Sequence, residues 1–371
     1  MFNLIRRTSG QIGVLERLAF NRSDPVSLYL GWVGFENLGD EALSEVFRRK
    51  ISPRKMLTTY APPWWTAGAS SRICDRADVS ALVLGGGTLI GRAPWVERLG
   101  RLSQIFPKAQ IWSVGVGVED PVSLAGGSVE IWRREIDLLL ELMPNFANLT
   151  VRGPASQAIL GGLGLDVPWS GDPALLLGTA DVNTTPDERT LLVSVGAVDG
   201  VVGSSIHAVI AELEHAASVL ARDGWRITVM PVNPRDFRQA KELAKSISHH
   251  GVVRLSPIVT SWEVFQSEAR KHQVGIHLRL HPAILAAGAF APYIQISHLP
   301  KCADFQATIT PAGRAIDARF LSGDDLVHQV LDIADRFEHE QTQLVKAVTL
   351  ARQRLDGDFS HVASILRTSS Y

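Results

Sequence analysis

Three times in its first 120 residues the chain runs from a short apolar segment straight into glycine: VSLYLGWVG (residues 26–34), ALVLGGG (81–87) and AQIWSVGVG (109–117). Short Val/Ile/Leu runs that alternate with longer amphipathic segments predict parallel sheets with crossover helices, an α/β fold. Glycine at strand ends matters in this class. Ligands bind beyond the carboxyl ends of the strands, where glycine lets backbone come close to them.

A polar stretch, GTADVNTTPDER (178–189), interrupts the pattern before a fresh strand, TLLVSVGAV, and the interdomain linker is placed there. The second half repeats the logic of the first. A helix is expected near 204–222 with Ile206, Val209, Ile210, Leu213 and Leu220 on one face. A strand at WRITVMPV, a charged helix near 235–248, and strands at GVVRL, QVGIHL and PYIQI follow. From 324 to 354, Leu326, Val330, Ala334, Phe337, Leu344 and Val348 recur at helical spacing. They predict one long C-terminal helix of roughly 45 Å, able to reach back across both domains. A length of 371 residues also suits two cores better than one. The expected division is a Rossmann-like domain over 1–180, a second over 190–323, and a helical segment over 324–371.

The 37 basic and 38 acidic residues leave a formal net charge of -1, with no polybasic run, so polymeric nucleic acid is not an expected partner. Cys74 and Cys302 stand far apart without CxxC or Cys/His clustering, which suggests neither a disulfide framework nor zinc and fits a reducing cytoplasm. The opening MFNLIRRTSGQIG has no apolar run long enough for a signal peptide, and no later stretch has the length of a membrane span. A soluble protein is expected.

Several segments carry candidate chemistry. In GFENLGDEAL (34–43), Asn37, Gly39 and Asp40 follow a glycine turn. Asp40 reads as the N-cap of a helix through Phe47, whose first amides would receive an anion; simple capping is the plain alternative. LGGGTLIG (84–91) sets Gly86 and Gly87 after a strand but lacks the Lys-Ser/Thr of a P-loop, and VGVGVED (114–120) lacks the third glycine of a dinucleotide site. Tight turns and cleft lining both fit them. NLTVRGPASQAIL (148–160) puts Arg152 at a strand's carboxyl end, before a helix that Pro154 can start. A surface Arg152 paired with a carboxylate such as Asp172 is the alternative there.

The sharpest question is raised by GIHLRLHPAILAAG (275–288), an apolar stretch with Arg279 and His281 at the opening turn of its helix, and Lys301 twenty positions after the histidine. Buried cations are rare unless paired or bound to something. His277 and His298 stand nearby, but the spacing is not that of a HExxH metal pair, so no metal is expected.

NLGDEA, LVLGGGTLIG, SVGVG, VRGPASQAIL, GDPALLL, RLHPAILAAG and Lys301 occur here in an order that resembles the polysaccharide pyruvyl transferase family, over about residues 28–305. The chain departs from the family's usual pattern at His277, where Ser is common, and at Pro282, where Ala is usual. The resemblance implies two Rossmann-like domains facing across a cleft, as in glycosyltransferase-B architecture. It also implies transfer of the enolpyruvyl part of phosphoenolpyruvate to two hydroxyls of one sugar, making a pyruvate ketal and releasing phosphate. Phosphoenolpyruvate is then the donor substrate, with no separate cofactor. The saccharide acceptor in this family is often lipid-linked, which would place the protein in the cytoplasm at the inner membrane face.

By the same resemblance Arg152, His281 and Lys301 match the family's active-site Arg, His and Lys, and Arg279, Asn37, Gly39, Asp40, Gly86, Gly87 and Asp172 would line the donor site. A forked guanidinium and a point-charge ammonium suit a carboxylate and a phosphate. His281 would be the acid/base. Two alternatives remain open at this stage: a glycosyltransferase using a nucleotide sugar, and a non-catalytic glycan-binding protein.

Overall fold

The computed structural model describes residues 26–51, 56–59, 79–124, 128–178, 186–196 and 205–368. Its first half contains β1 (Val26–Leu30), α1 (Leu38–Ile51), β2 (Met56–Thr59), β3 (Val79–Leu84), β4 (Gly87–Ile90), α2 (Trp95–Ile105), β5 (Gln110–Val118), α3 (Ser128–Leu142), β6 (Phe146–Val151) and α4 (Pro154–Gly161). The strands form one parallel sheet in which β2, β1, β3 and β5 lie in that order, and β5 also pairs with β4 and β6. These strands read as nearly continuous apolar runs because both faces are covered. In β3 every residue but Ser80 is buried.

The second half contains β7 (Asp187–Ser194), α5 (Ile206–Arg222), β8 (Arg226–Val229), α6 (Phe237–Ile247), β9 (Val253–Leu255), α7 (Trp262–Ala269), β10 (His272–His277), α8 (Leu280–Gly288), β11 (Tyr293–Ser297), α9 (Pro300–Ile309) and β12 (Arg314–Asp317). Its parallel sheet has the order β12-β11-β10-β7-β8-β9. The order reverses between β7 and β10, the arrangement that opens a crevice at strand carboxyl ends. Of the expected linker, residues 179–185 lie outside the described residues, and β7 begins inside the stretch, at Asp187. Residue 204 of the expected helix near 204–222 also lies outside them.

The C-terminal helix is not one rod from 324. It is α10 (Gly323–Asp335) and then α11 (Phe337–Thr368), with Arg336 between them at φ -112° and ψ 24°. The physical reason is tertiary. Arg314, on edge strand β12, pairs with Asp332 of α10 at 2.5 Å and with Glu340 of α11 at 2.6 Å, holding the two helices at a corner. The 32 residues of α11 make it about 48 Å long.

α11 is what joins the halves. Leu344, Val348, Ala351, Leu355 and Phe359 enter one apolar cluster with residues of α1 and α8, so the two sheets share a core besides the one each has of its own. Its Arg352 donates to the carbonyls of Leu175 (2.7 Å), Leu177 (3.1 Å) and Gly288 (2.7 Å), tying backbone acceptors of both halves to one helix. Among the described residues no helix is long and apolar enough to cross a membrane.

Candidate functional site

The carboxyl ends of the two sheets face each other, and the candidate residues lie on the connections that leave them. In the first half these are the β1–α1 loop, the β3–β4 turn and the β6–α4 junction. In the second they are the β10–α8 and β11–α9 junctions.

Every residue of α8 except His281 is buried, because an Ala-rich helix can approach its sheet closely. His281 occupies the second helical position and leans out of that apolar surround toward the first half. A Cβ built at Gly39 would lie 1.9 Å from its Nδ1, so Gly39 is the room the imidazole needs. The other ring nitrogen, Nε2, is buried and has no hydrogen-bond partner among the described residues. An orphaned buried polar atom costs about 1–3 kcal/mol, an outlay usual for groups that meet a ligand. Burial holds the imidazole's pKa well below its ordinary value, and the charges of Arg152, Lys301 and Arg279 lower it further. Both effects favour the neutral imidazole.

Arg152 follows β6 and is buried, not a surface residue as one reading of the sequence has it. Its Nε stands 3.1 Å from Asp172 Oδ2. Both side chains are buried, so the ion pair is shielded from water. Its Nη1 and Nη2 reach Thr88 Oγ1 only at 3.5 and 3.4 Å. The guanidinium lies against Gly117, where a Cβ would come within 2.5 Å of Nη2. Asp172 also accepts from the Ala174 amide at 3.0 Å, and burial raises its pKa against the opposing pull of Arg152.

Lys301, in the first turn of α9, is partly buried and makes no hydrogen bond or ion pair among the described residues. Burial brings its pKa down to about 8, and Arg92 and Arg152 push the same way. Asp40 experiences the same cluster from the other side. Burial raises its pKa to about 7, against the lowering effects of Lys301 and Arg279.

Three expectations change. α1 begins at Leu38, so Asp40 lies within the first turn and Asn37 precedes the helix. Asn37 accepts from the Gly39 amide at 3.3 Å and donates to Asp40 Oδ2 at 2.5 Å, while the Leu38 amide reaches the Val232 carbonyl at 3.4 Å. These amides have partners within the chain, and what Gly39 contributes is space. Arg279 is forked onto buried Asp236 by two bonds of 2.7 and 2.6 Å, so it stands beside the site as an anchored charge. Gly86 serves packing, since a Cβ there would come within 2.6 Å of Leu43 Cδ2, whereas Gly87 takes a left-handed φ of +92° where β4 begins, with Asp40 next to it.

Of the other residues of the site, Gly117 and Thr88 lie inside the glycine motifs VGVGVED and LGGGTLIG, whereas Asp236 and Asp304 have no signal in the sequence. Gly117 and Thr88 border Arg152, and Asp236 holds Arg279. Asp304 of α9 reaches across to the start of α4, accepting from the Ala155 amide at 2.8 Å and from Ser156 Oγ at 2.7 Å, and so locks the two halves together beside the cleft.

The fold defines a class. The chain is similar to HepE of Anabaena in complex with UDP and glucose, at 9% identity with a TM-score of 0.59 over 93% of this chain and 100% of that one. It is similar to a UDP-glucosyltransferase from Polygonum tinctorium, at 11% identity and TM-score 0.57, covering 94% and 99% of the two chains. A UDP-GlcNAc 2-epimerase from Methanocaldococcus jannaschii gives 10% identity and TM-score 0.53 over 84% and 92%. The architecture is that of glycosyltransferase-B proteins. No curated protein matches the sequence. A profile of the polysaccharide pyruvyl transferase family matches residues 37–298, most of the chain, and the protein belongs to that family.

Proposed function

We propose that this transferase moves the enolpyruvyl group of phosphoenolpyruvate onto two hydroxyls of one hexose, in a cell-surface or exported polysaccharide or its lipid-linked precursor, closing a cyclic pyruvate ketal. The observation that carries this reading is the convergence of Arg152, Lys301 and Arg279 on an imidazole with an unpaired Nε2. Arg152 and Arg279 are each held by a buried carboxylate, Asp172 and Asp236, whereas Lys301 has no ion pair among the described residues and faces Asp40 of near-neutral pKa, an arrangement that suits a small donor carrying both phosphate and carboxylate.

The reaction moves two protons and no net electrons. One sugar oxygen bonds to C2 of the donor while the methylene carbon gains a proton, and the first hydroxyl loses one. The second oxygen then bonds to C2 as the C–O bond to phosphate breaks, and the second hydroxyl's proton leaves with hydrogen phosphate. His281 Nε2, neutral in the resting protein, is the base for the attacking hydroxyl. Donor binding offsets the surrounding positive charge, which raises the imidazole's proton affinity and lets it return the proton. Asp40, with its pKa near 7, is a second proton carrier on the opposite wall. Arg152 and Lys301 stabilise the charge that builds on the departing phosphate. An acceptor presented at the inner membrane face would place the protein there, on the cytoplasmic side.

The test is turnover in D2O with phosphoenolpyruvate and a panel of hexose acceptors, followed by mass spectrometry. A ketal whose methyl group carries one deuterium supports the reading. Since the solved neighbours include complexes with UDP, a nucleotide sugar is the control. Glycosyl transfer from it, with phosphoenolpyruvate untouched, would replace this reading with a glycosyltransferase.

A further inference from the structure

The acid that ties α9 to α4 stands between two cations of the cleft. Arg152, Gly153 and Pro154 are consecutive, and α4 begins at Pro154. Facing them, Asp304 is buried in α9, three residues after Lys301. Its Oδ1 accepts from the amides of Ala155 (2.8 Å) and Ser156 (3.3 Å), and its Oδ2 from the Ser156 hydroxyl (2.7 Å). Ser156 Oγ in turn accepts from the Val118 amide at 3.3 Å, where β5 ends. One carboxylate of the second half therefore holds a helix start of the first half and, through one hydroxyl, a strand end.

The two halves meet here backbone to backbone. A Cβ at Gly153 would stand 2.3 Å from Asp304 Oδ1 and 2.6 Å from the Asp304 carbonyl oxygen, so the residue that follows Arg152 is a glycine pressed against α9. A carboxylate on the amides of a helix's first turn makes charge-assisted bonds that the helix dipole strengthens. Ser156 and Asp304 are both buried, which keeps water from competing for those bonds.

Residues three apart on a helix share a face, so Lys301 and Asp304 look the same way. The bonds of Asp304 show which way that is, toward the β6–α4 junction that carries Arg152. Only about 4.5 Å of helix rise separates the lysine from the acid. The charge of Arg152 is felt at Lys301, in keeping with this placement. Two cations from different halves are thus mounted on the two sides of one contact. Clefts between two α/β domains commonly change width by hinge bending or by sliding of packed helices. An apolar seam such as that along α11 can slide, whereas bonds to a buried carboxylate must break and leave buried amides unpaired.

We infer that Asp304 is a positioning residue of the transferase: through α4 it fixes the span between Arg152 and Lys301, so that phosphoenolpyruvate enters a preset gap and the halves do not close on it. This rests on the donor reading given above. It adds to that reading the group that sets the distance between the two cations. A gap fixed in advance raises affinity by lowering the ordering cost of binding.

The test has two arms. Double electron–electron resonance between spin labels at the exposed positions Gln104→Cys of α2 and Lys241→Cys of α6, in a Cys74→Ser background that leaves only buried Cys302, reads the separation of the halves. With Asp304 in place the distribution should be narrow and unmoved by saturating phosphoenolpyruvate. Asp304→Ala should broaden it, and Asp304→Asn, which keeps an oxygen for the Ala155 amide, should restore most of the narrowness. If Asp304→Ala does not fold, Ser156→Ala takes its place with the same expectation. A distribution that shifts when phosphoenolpyruvate is added, or one equally narrow once these bonds are removed, overturns the inference. In steady-state kinetics the donor KM should rise roughly tenfold in the broadened variant while the acceptor KM stays put. Loss of folded protein alone would lower kcat and leave both KM values unchanged. An unchanged donor KM in an active transferase would overturn the positioning role and leave the transferase standing. A narrow distribution that Asp304→Ala broadens, in a protein that never consumes phosphoenolpyruvate, would remove the donor and leave the fixed span.

Discussion

His281 and Gly39 come from different halves of the molecule, and the imidazole of one occupies the space where the other's side chain would begin. The contact fixes how the second sheet's histidine is aimed at the first sheet's loop. It also makes a glycine 242 positions away in sequence part of the setting of that imidazole.

Gly39→Ala should therefore behave as an active-site variant. The new methyl must displace the ring, and misplacement of a reacting group by about 1 Å can lower the rate about 10²-fold. Steady-state kinetics should show kcat falling by roughly that factor, with an unchanged circular dichroism spectrum. Wild-type kcat in Gly39→Ala would break the link between this contact and catalysis.

Donor binding should weaken as pH rises through 7 and 8. Asp40, whose pKa is about 7, gains negative charge over that window, and Lys301, whose pKa is about 8, loses its positive charge. Both changes disfavour an anion. In Asp40→Asn the first of the two steps should vanish and the one near 8 persist, as read by calorimetric titration with phosphoenolpyruvate. A pH-independent affinity between 6 and 9 is the contrary result.

The same carboxyl sets a stability profile. Asp40 holds its proton in the folded state up to about 7, whereas an unfolded Asp releases it near 3.9, so folding stability contributed by this group falls as pH rises across that interval. Urea melts should find Asp40→Asn more stable than wild type by up to about 4 kcal/mol at pH 8, the full linkage between those two pKa values, and about equal to it near pH 4. A variant less stable than wild type at pH 8 would contradict the account.

Asp172 stabilises by compensating a charge. Its removal leaves Arg152 buried without a counter-ion, a change that usually costs about 3–5 kcal/mol. Asp172→Ala should lower the thermal midpoint sharply, and Arg152→Met together with Asp172→Ala should recover part of the loss while remaining inactive. A double variant no more stable than Asp172→Ala would show that the ion pair is not what the single change disrupts.

How much of this was legible in the sequence follows from where each piece of information resides. The α/β class and most strands are local properties, visible as apolar runs ending in glycine. So is the placement of Arg152 and His281 at strand-to-helix junctions, where a charge in an apolar stretch stands out. Asp236 beneath Arg279 and Asp304 beneath α4 carry no such mark, because each partner is distant in sequence, 43 and 148 to 149 positions away, and each acid sits in an ordinary helical context. The corner at Arg336 was illegible for the same reason. The apolar spacing runs on through it, and the contact that marks the corner, Arg314 bridging Asp332 and Glu340, comes from outside the segment. Asp40 reads as a cap from its position after glycine, whereas the helix starts two residues earlier and its first amides find Val232 and Asn37.

The measurement that bears most directly on the central claim is phosphate released from phosphoenolpyruvate, with and without a saccharide acceptor, by wild type and His281→Ala. The account predicts release that requires the acceptor and falls at least about 10²-fold in His281→Ala, with that variant still folded by circular dichroism. Release by His281→Ala at the wild-type rate would contradict it.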